Sequence, residues 1–183
     1  GVTVLALATA VGGGAIRDVV VGKLPPSALQ NEPLIWAVVG AALVVFTLHT
    51  RLEHTGLLRN GLFMLDTIGL GVFAALGAER GIDAGLGLWG VLFTGVVSGV
   101  GGGMLRDIFA GEVPGILYRA SDFYASAAAG GALVTFLLYP RYPGAALIAG
   151  STTVIALRFG ARLLRLRLPV STPRPRGGKS APQ

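Results

Sequence analysis

The chain has 183 residues, 52% of them hydrophobic and only 13% charged, with a mean hydropathy of +0.70, whereas soluble domains carry about 25% charged residues. Too little polar surface is available to cover a water-soluble fold of this size, and with no Cys there is no disulfide framework, thiolate metal site or cysteine nucleophile. The formal charge of +6 is concentrated at the C-terminus, and the 29 glycines suit the close approach of helices in lipid.

Six apolar stretches follow one another at 1–21, 34–50, 62–78, 84–105, 123–138 and 145–168. Each is near the roughly 17–25 residues that cross a bilayer as a helix. The connections hold most of the charge and proline, as in Lys23-Leu24-Pro25-Pro26, Arg51-Leu52-Glu53-His54, Glu79-Arg80-Gly81-Ile82-Asp83, Glu112-Val113-Pro114 and Pro140-Arg141-Tyr142-Pro143. Proline ends a helix there and water solvates the charge. Beyond Asp122 there is no acid, yet Arg158, Arg162, Arg165, Arg167, Arg174, Arg176 and Lys179 make up seven of the fifteen basic residues. Such a run directly after an apolar segment is read as a cytoplasmic anchor rather than a nucleic-acid patch. This orientation puts Arg51, Arg59, Arg119 and the tail in the cytoplasm and Lys23, Arg80 and Arg141 on the far side of the cell (inner) membrane. No nucleic-acid partner is expected, and membrane lipids are.

The strongest internal signal is a repeat. Residues 12–25 and 101–114 both read GGG-x-x-R-D-x-x-x-G-x-x-P, at an offset of 89 residues, and the match extends upstream with Thr9 over Ser98. Three crossings separate the copies, so the second is upside down relative to the first. Inverted repeats about an axis in the membrane plane are an architecture of passive and coupled transport proteins. The stretch 62–78 has no counterpart before residue 1, which leads to the expectation that a first helix is missing from this chain. The expected fold is an all-α membrane protein, an inverted-repeat bundle of three, three and one transmembrane helices with six present here. Its parts are a first repeat at 1–60, a second, inverted repeat at 61–140, a final transmembrane helix at 141–168 and a basic disordered tail at 169–183.

With its doubled motif and the Leu65-Asp66-Thr67-Ile68-Gly69-Leu70-Gly71 segment between the copies, the chain resembles the prokaryotic trimeric intracellular cation (TRIC) channels. The resemblance implies seven helices per subunit, a homotrimer with a pore through each subunit, kinks at the two Gly-triplet helices, and conduction of monovalent cations, potassium above all.

Physically, the triplets Gly12, Gly13, Gly14 and Gly101, Gly102, Gly103 cost helix propensity, roughly 1 kcal/mol per glycine relative to Ala, so each helix is expected to bend or unwind there. Carbonyls exposed at such a break can replace part of a cation's hydration shell; tight packing of two pseudo-symmetric helices is the alternative, and both can hold. Arg17, Asp18, Arg106 and Asp107 are expensive at membrane depth unless paired. Adjacent side chains point about 100° apart, so the expected pairs run across the repeat, Arg17 with Asp107 and Arg106 with Asp18, as a structural clasp or a gate. Asp66 has no basic neighbour within a helical turn and is a candidate on the ion path, or else a brace between helices. Thr9, Thr94 and Ser98 are further ion-path candidates, although such hydroxyls often bond back to their own helix.

Gly12-x-Gly14-x-x-Arg17 superficially resembles a dinucleotide fingerprint, but Arg stands in the third glycine's place and no strand precedes it. His49 and His54 flank a charged loop and support neither a nucleophilic pair nor a metal site. No enzyme, cofactor or metal is expected. The two function classes carried forward are a passive potassium channel gated at the triplet helices and a secondary transporter of a small solute on the same inverted repeat.

Overall fold

The computed structural model describes residues 1–52, 57–114, 116 and 124–164. Within them the apolar stretches form six α-helices: α1 (Val2–Val20), α2 (Glu32–Leu52), α3 (Leu57–Asp83), α4 (Leu88–Phe109), α5 (Tyr124–Leu138) and α6 (Pro143–Leu163). A short 3-10 helix, Ser27–Gln30, lies between α1 and α2, and no strand occurs among the described residues. The third helix outruns its apolar stretch at both ends, because Glu79, Arg80 and Asp83 continue the helix where water can solvate them. His54, Arg119, Phe123 and the tail from residue 165 lie outside the described residues, as do the side chains of His49, Arg51 and Arg59.

The glycine that follows the Arg-Asp pair in each repeat motif has a defined task. Gly22 (φ 74°) and Gly111 (φ 72°) take the left-handed conformation that stops α1 and α4. In the first copy the amide of Lys23 donates to the carbonyl of Asp18 and that of Gly22 to Val19; in the second, Glu112 donates to Asp107 and Gly111 to Ile108. These are paired Schellman closures, with glycine at the position where a β-carbon is strained. The duplicated spacing from R-D to G is therefore the distance from the last turn to its cap.

Small residues set how the helices meet. A β-carbon on Gly77 would lie 2.6 Å from the carbonyl oxygen of Thr94, one on Gly71 2.7 Å from that of Ser151, and one on Gly131 2.7 Å from that of Gly150. Backbones approach this closely only where side chains are absent, the mode of packing that works in lipid. The contacts run in opposite order along each pair, so α4 is antiparallel to α1, α3 and α5, and α6 is antiparallel to α3 and α5. The core is correspondingly slight: Leu70, Ala74, Val100, Ala127, Ala128 and Val154 form the main buried cluster. Large apolar side chains point outward instead, with Phe46 65%, Leu65 69%, Ile148 69% and Leu163 80% exposed, as suits helices bathed in lipid. Trp89 and Tyr142, at the starts of the parallel helices α4 and α6, are also exposed and sit at one end of the bundle, the interfacial position amphipathic aromatics favour.

Candidate functional site: charged clusters at the ends of a glycine seam

The two Gly triplets meet each other. A β-carbon on Gly13 would collide with the carbonyl oxygen of Ser98, and one on Gly102 with that of Thr9, so the two contacts are related by the repeat. One on Gly101 would lie 3.0 Å from the Cα of Gly13, and Gly12 is covered by the Leu105 side chain. Both helices are α-helical without interruption through their triplets, which corrects the expectation of unwinding. The propensity lost at the glycines is offset by backbone-to-backbone packing that no other residue permits. The third glycines face polar groups: a β-carbon on Gly14 would lie 3.7 Å from Arg17 Nη2, and one on Gly103 2.9 Å from the Tyr124 hydroxyl.

Because α1 and α4 run antiparallel, the Arg-Asp pair near each C-terminus lies at the opposite end of the seam. At one end, Arg17 Nε and Nη2 donate to Asp18 Oδ1 at 2.9 and 2.7 Å. The backbone amide of Ser27 donates to Asp18 Oδ2 at 2.7 Å, and Arg17 Nη1 reaches Ser98 Oγ at 3.4 Å. Asp18 is wholly buried and Arg17 nearly so; burial at this cost is sustained only because the acid is satisfied on both oxygens.

At the other end, Arg106 repeats the geometry on Asp107 Oδ1, with Nε at 3.0 Å and Nη2 at 2.9 Å. The expected cross-repeat pairs are thus not what forms: each Arg folds back on its own neighbour. The direction of the Cα–Cβ bonds does not forbid this, since the long, flexible Arg stem carries the guanidinium around the helix. Unlike its counterpart, this pair is open, with the Arg106 side chain 44% exposed.

Asp66 joins the second cluster and is not solitary. Its Oδ2 accepts from Arg158 Nη1 at 2.7 Å, its Oδ1 accepts from the Tyr124 hydroxyl at 3.2 Å, and Arg106 Nη1 lies 3.7 Å away. Charges alternate from Arg158 through Asp66 and Arg106 to Asp107, linking α6, α3 and α4. Arg158 is therefore no part of a solvated anchor. Its side chain is 4% exposed, and its guanidinium sits 4.9 Å from the Phe63 ring centroid and 4.6 Å from that of Tyr124. Arg162 lies 4.2 Å from the Phe63 ring. The sequence did offer a signal for Arg158 and Tyr124: one is a cation in the body of an apolar stretch, the other a tyrosine at the head of one.

Of the hydroxyl candidates, Thr9 bonds back to the carbonyl of Leu5 at 2.7 Å, and Thr94 to those of Gly90 and Val91 at 3.0 Å. Ser98 alone turns to a charged partner, Arg17. Thr94 and Ser98 are buried in the helix contacts. No group of three or more potential metal ligands occurs among the described residues.

A family model described as glycine transporter matches residues 1–50 and 63–140. A UPF0126 membrane protein of Deinococcus radiodurans is 44% identical over 171 residues, covering 93% of this chain and 78% of that protein. The UPF0126 inner membrane protein YadS of Escherichia coli K12 is 33% identical over 178 residues, covering 92% and 81%. Among solved structures, a TRIC cation channel studied for the basis of its conductance matches with a TM-score of 0.85 at 34% identity, over 94% of this chain and 84% of that one. The TRIC trimeric intracellular cation channel orthologue from Rhodobacter sphaeroides matches with a TM-score of 0.75 at 30% identity, over 90% and 93%. These matched structures are channels, not enzymes. With its doubled glycine motif, its antiparallel seam and these relatives, the chain belongs to the TRIC-like family of membrane proteins that includes the glycine-transporter model and the UPF0126 relatives.

Proposed function

We propose that this protein is a passive channel for monovalent cations, potassium foremost, working as a homotrimer with one path in each subunit. The observation that carries the reading is the glycine seam with a charged cluster at each end, in a chain 34% identical to a TRIC cation channel over 94% of its length. Charges held inside apolar helices mark ion pathways because little else balances their desolvation. The seam is where the two inverted copies, 1–60 and 61–140, pack backbone against backbone, so it is the natural gate: parting α1 from α4 there exposes backbone carbonyls and the buried Arg17–Asp18 pair to water. The final segment, 141–168, which contains α6, closes the bundle, and the basic residues after it hold that end on the cytoplasmic face of the inner membrane. Lipid covers the outward apolar side chains.

Transport of a small zwitterion is the second reading, and the family model's description as a glycine transporter favours it. Acids and arginines near one another suit an ammonium and a carboxylate together. Potassium-loaded proteoliposomes separate the two. A channel gives efflux driven by an ionophore-set potential and unaffected by glycine, whereas a transporter gives saturable uptake of labelled glycine and no electrogenic potassium leak. Glycine uptake without potassium efflux overturns the channel reading.

A further inference from the structure

Arg158 stands apart from the other membrane-embedded charges because it comes from α6, outside the two inverted copies. Of the three acids in the two clusters, Asp66 has the most accessible side chain, at 24%, against 16% for Asp107 and 0% for Asp18. The cation opposite it is the reverse, with only 4% of the Arg158 side chain exposed. The pair therefore joins an acid that reaches water to a base that does not. Arg158 lies against both the Phe63 and Tyr124 rings and is held 2.7 Å from Asp66. Its Nε is buried without a hydrogen-bond partner, so the pairing with Asp66 and the ring contacts hold the guanidinium here without its donors all being satisfied. Arg106, 3.7 Å from the same carboxylate, is already engaged by Asp107 at 2.9 Å.

We propose that Arg158 sets ion selectivity: by neutralising Asp66 from outside the repeat, it withholds that acid's negative charge from the field a passing ion meets at this end of the seam. The proposal rests on the channel reading above. It also makes the two ends of the path electrically unlike, since the first copy buries its acid against its own Arg17, with no contribution from α6. Arg158 touches no ion in this account; it acts through Asp66.

The test is the reversal potential of unitary currents in planar bilayers under a potassium chloride gradient, for a series of charge states. Arg158→Gln lowers the local charge by one and raises the cation-to-anion permeability ratio roughly thirtyfold, because one unit charge roughly 8 Å away at an effective dielectric constant of about 40 shifts cation and anion by about five- to sixfold each, in opposite directions. Asp66→Asn raises the charge by one and lowers the ratio by a similar factor. The double variant and Arg158→Lys leave the charge unchanged and keep the wild-type ratio. A purely structural role moves melting temperature across the series but not reversal potential. If Arg158→Gln fails to fold, the fall in Asp66→Asn and its reversal in the double variant decide the matter. Folded variants that share one reversal potential overturn this assignment alone, while wild-type protein that passes no current overturns the channel reading and this assignment together.

Discussion

Gly13 of α1 meets the carbonyl oxygen of Ser98 on α4 with no room for a β-carbon, and Gly102 of α4 meets the carbonyl oxygen of Thr9 on α1 in the same way. One contact is the image of the other under the inverted repeat. The seam is thereby a symmetric object, and substitutions on its two sides are expected to act alike.

Gly13→Ala and Gly102→Ala each force two backbones apart and cost about 1–3 kcal/mol, the usual range for overpacking. Gly69→Ala, on the same membrane fold but with nothing within 4 Å of the new methyl, is neutral or slightly stabilising through helix propensity. Thermal unfolding of the purified protein in detergent checks all three. Equal melting temperatures for Gly13→Ala and Gly69→Ala contradict the seam.

Asp18→Asn strands Arg17 in a buried site, and breaking a buried pair from one side costs about 3–5 kcal/mol. Asp107→Asn is milder, because the Arg106 side chain is 44% exposed and water takes over part of the lost interaction. The comparison is made by denaturation in the same detergent. A larger loss at Asp107 than at Asp18 is incompatible with the burial described.

Pairing within each dipeptide rather than across the repeat has its own signature. Removing both partners of one pair is less harmful than removing one partner from each of two pairs. Arg17→Gln with Asp18→Asn is therefore better tolerated than Arg17→Gln with Asp107→Asn, measured as the yield and melting temperature of folded protein. The opposite order restores the cross-repeat arrangement.

How far these features could be read from the residues depends on the distance over which each is decided. Six helices and a duplicated motif on antiparallel helices were legible, because hydropathy over about 20 residues and a 14-residue motif are properties of the chain alone. The meeting of the triplets was legible only as an alternative to helix breakage: glycine's propensity cost is local, whereas the packing that offsets it needs the second copy in place. The partner of Asp66 was not legible. Arg158 lies 92 residues away, and it heads a run of basic residues that read together as a solvated anchor. Side-chain direction misled at Arg17 and Arg106, where the length of the guanidinium stem outweighs the angle between adjacent Cα–Cβ bonds. The R-D-x-x-x-G-x-x-P spacing, in contrast, matched a motif whose local meaning, a helix end closed at Gly22 and Gly111, emerges only with the backbone angles.

The most direct measurement is a single-channel recording of the purified protein in a planar bilayer separating unequal potassium chloride solutions. The account predicts discrete unitary currents that reverse near the potassium equilibrium potential and are unchanged by added glycine. Verified, folded protein that gives no unitary current, or currents reversing near the chloride potential, contradicts it.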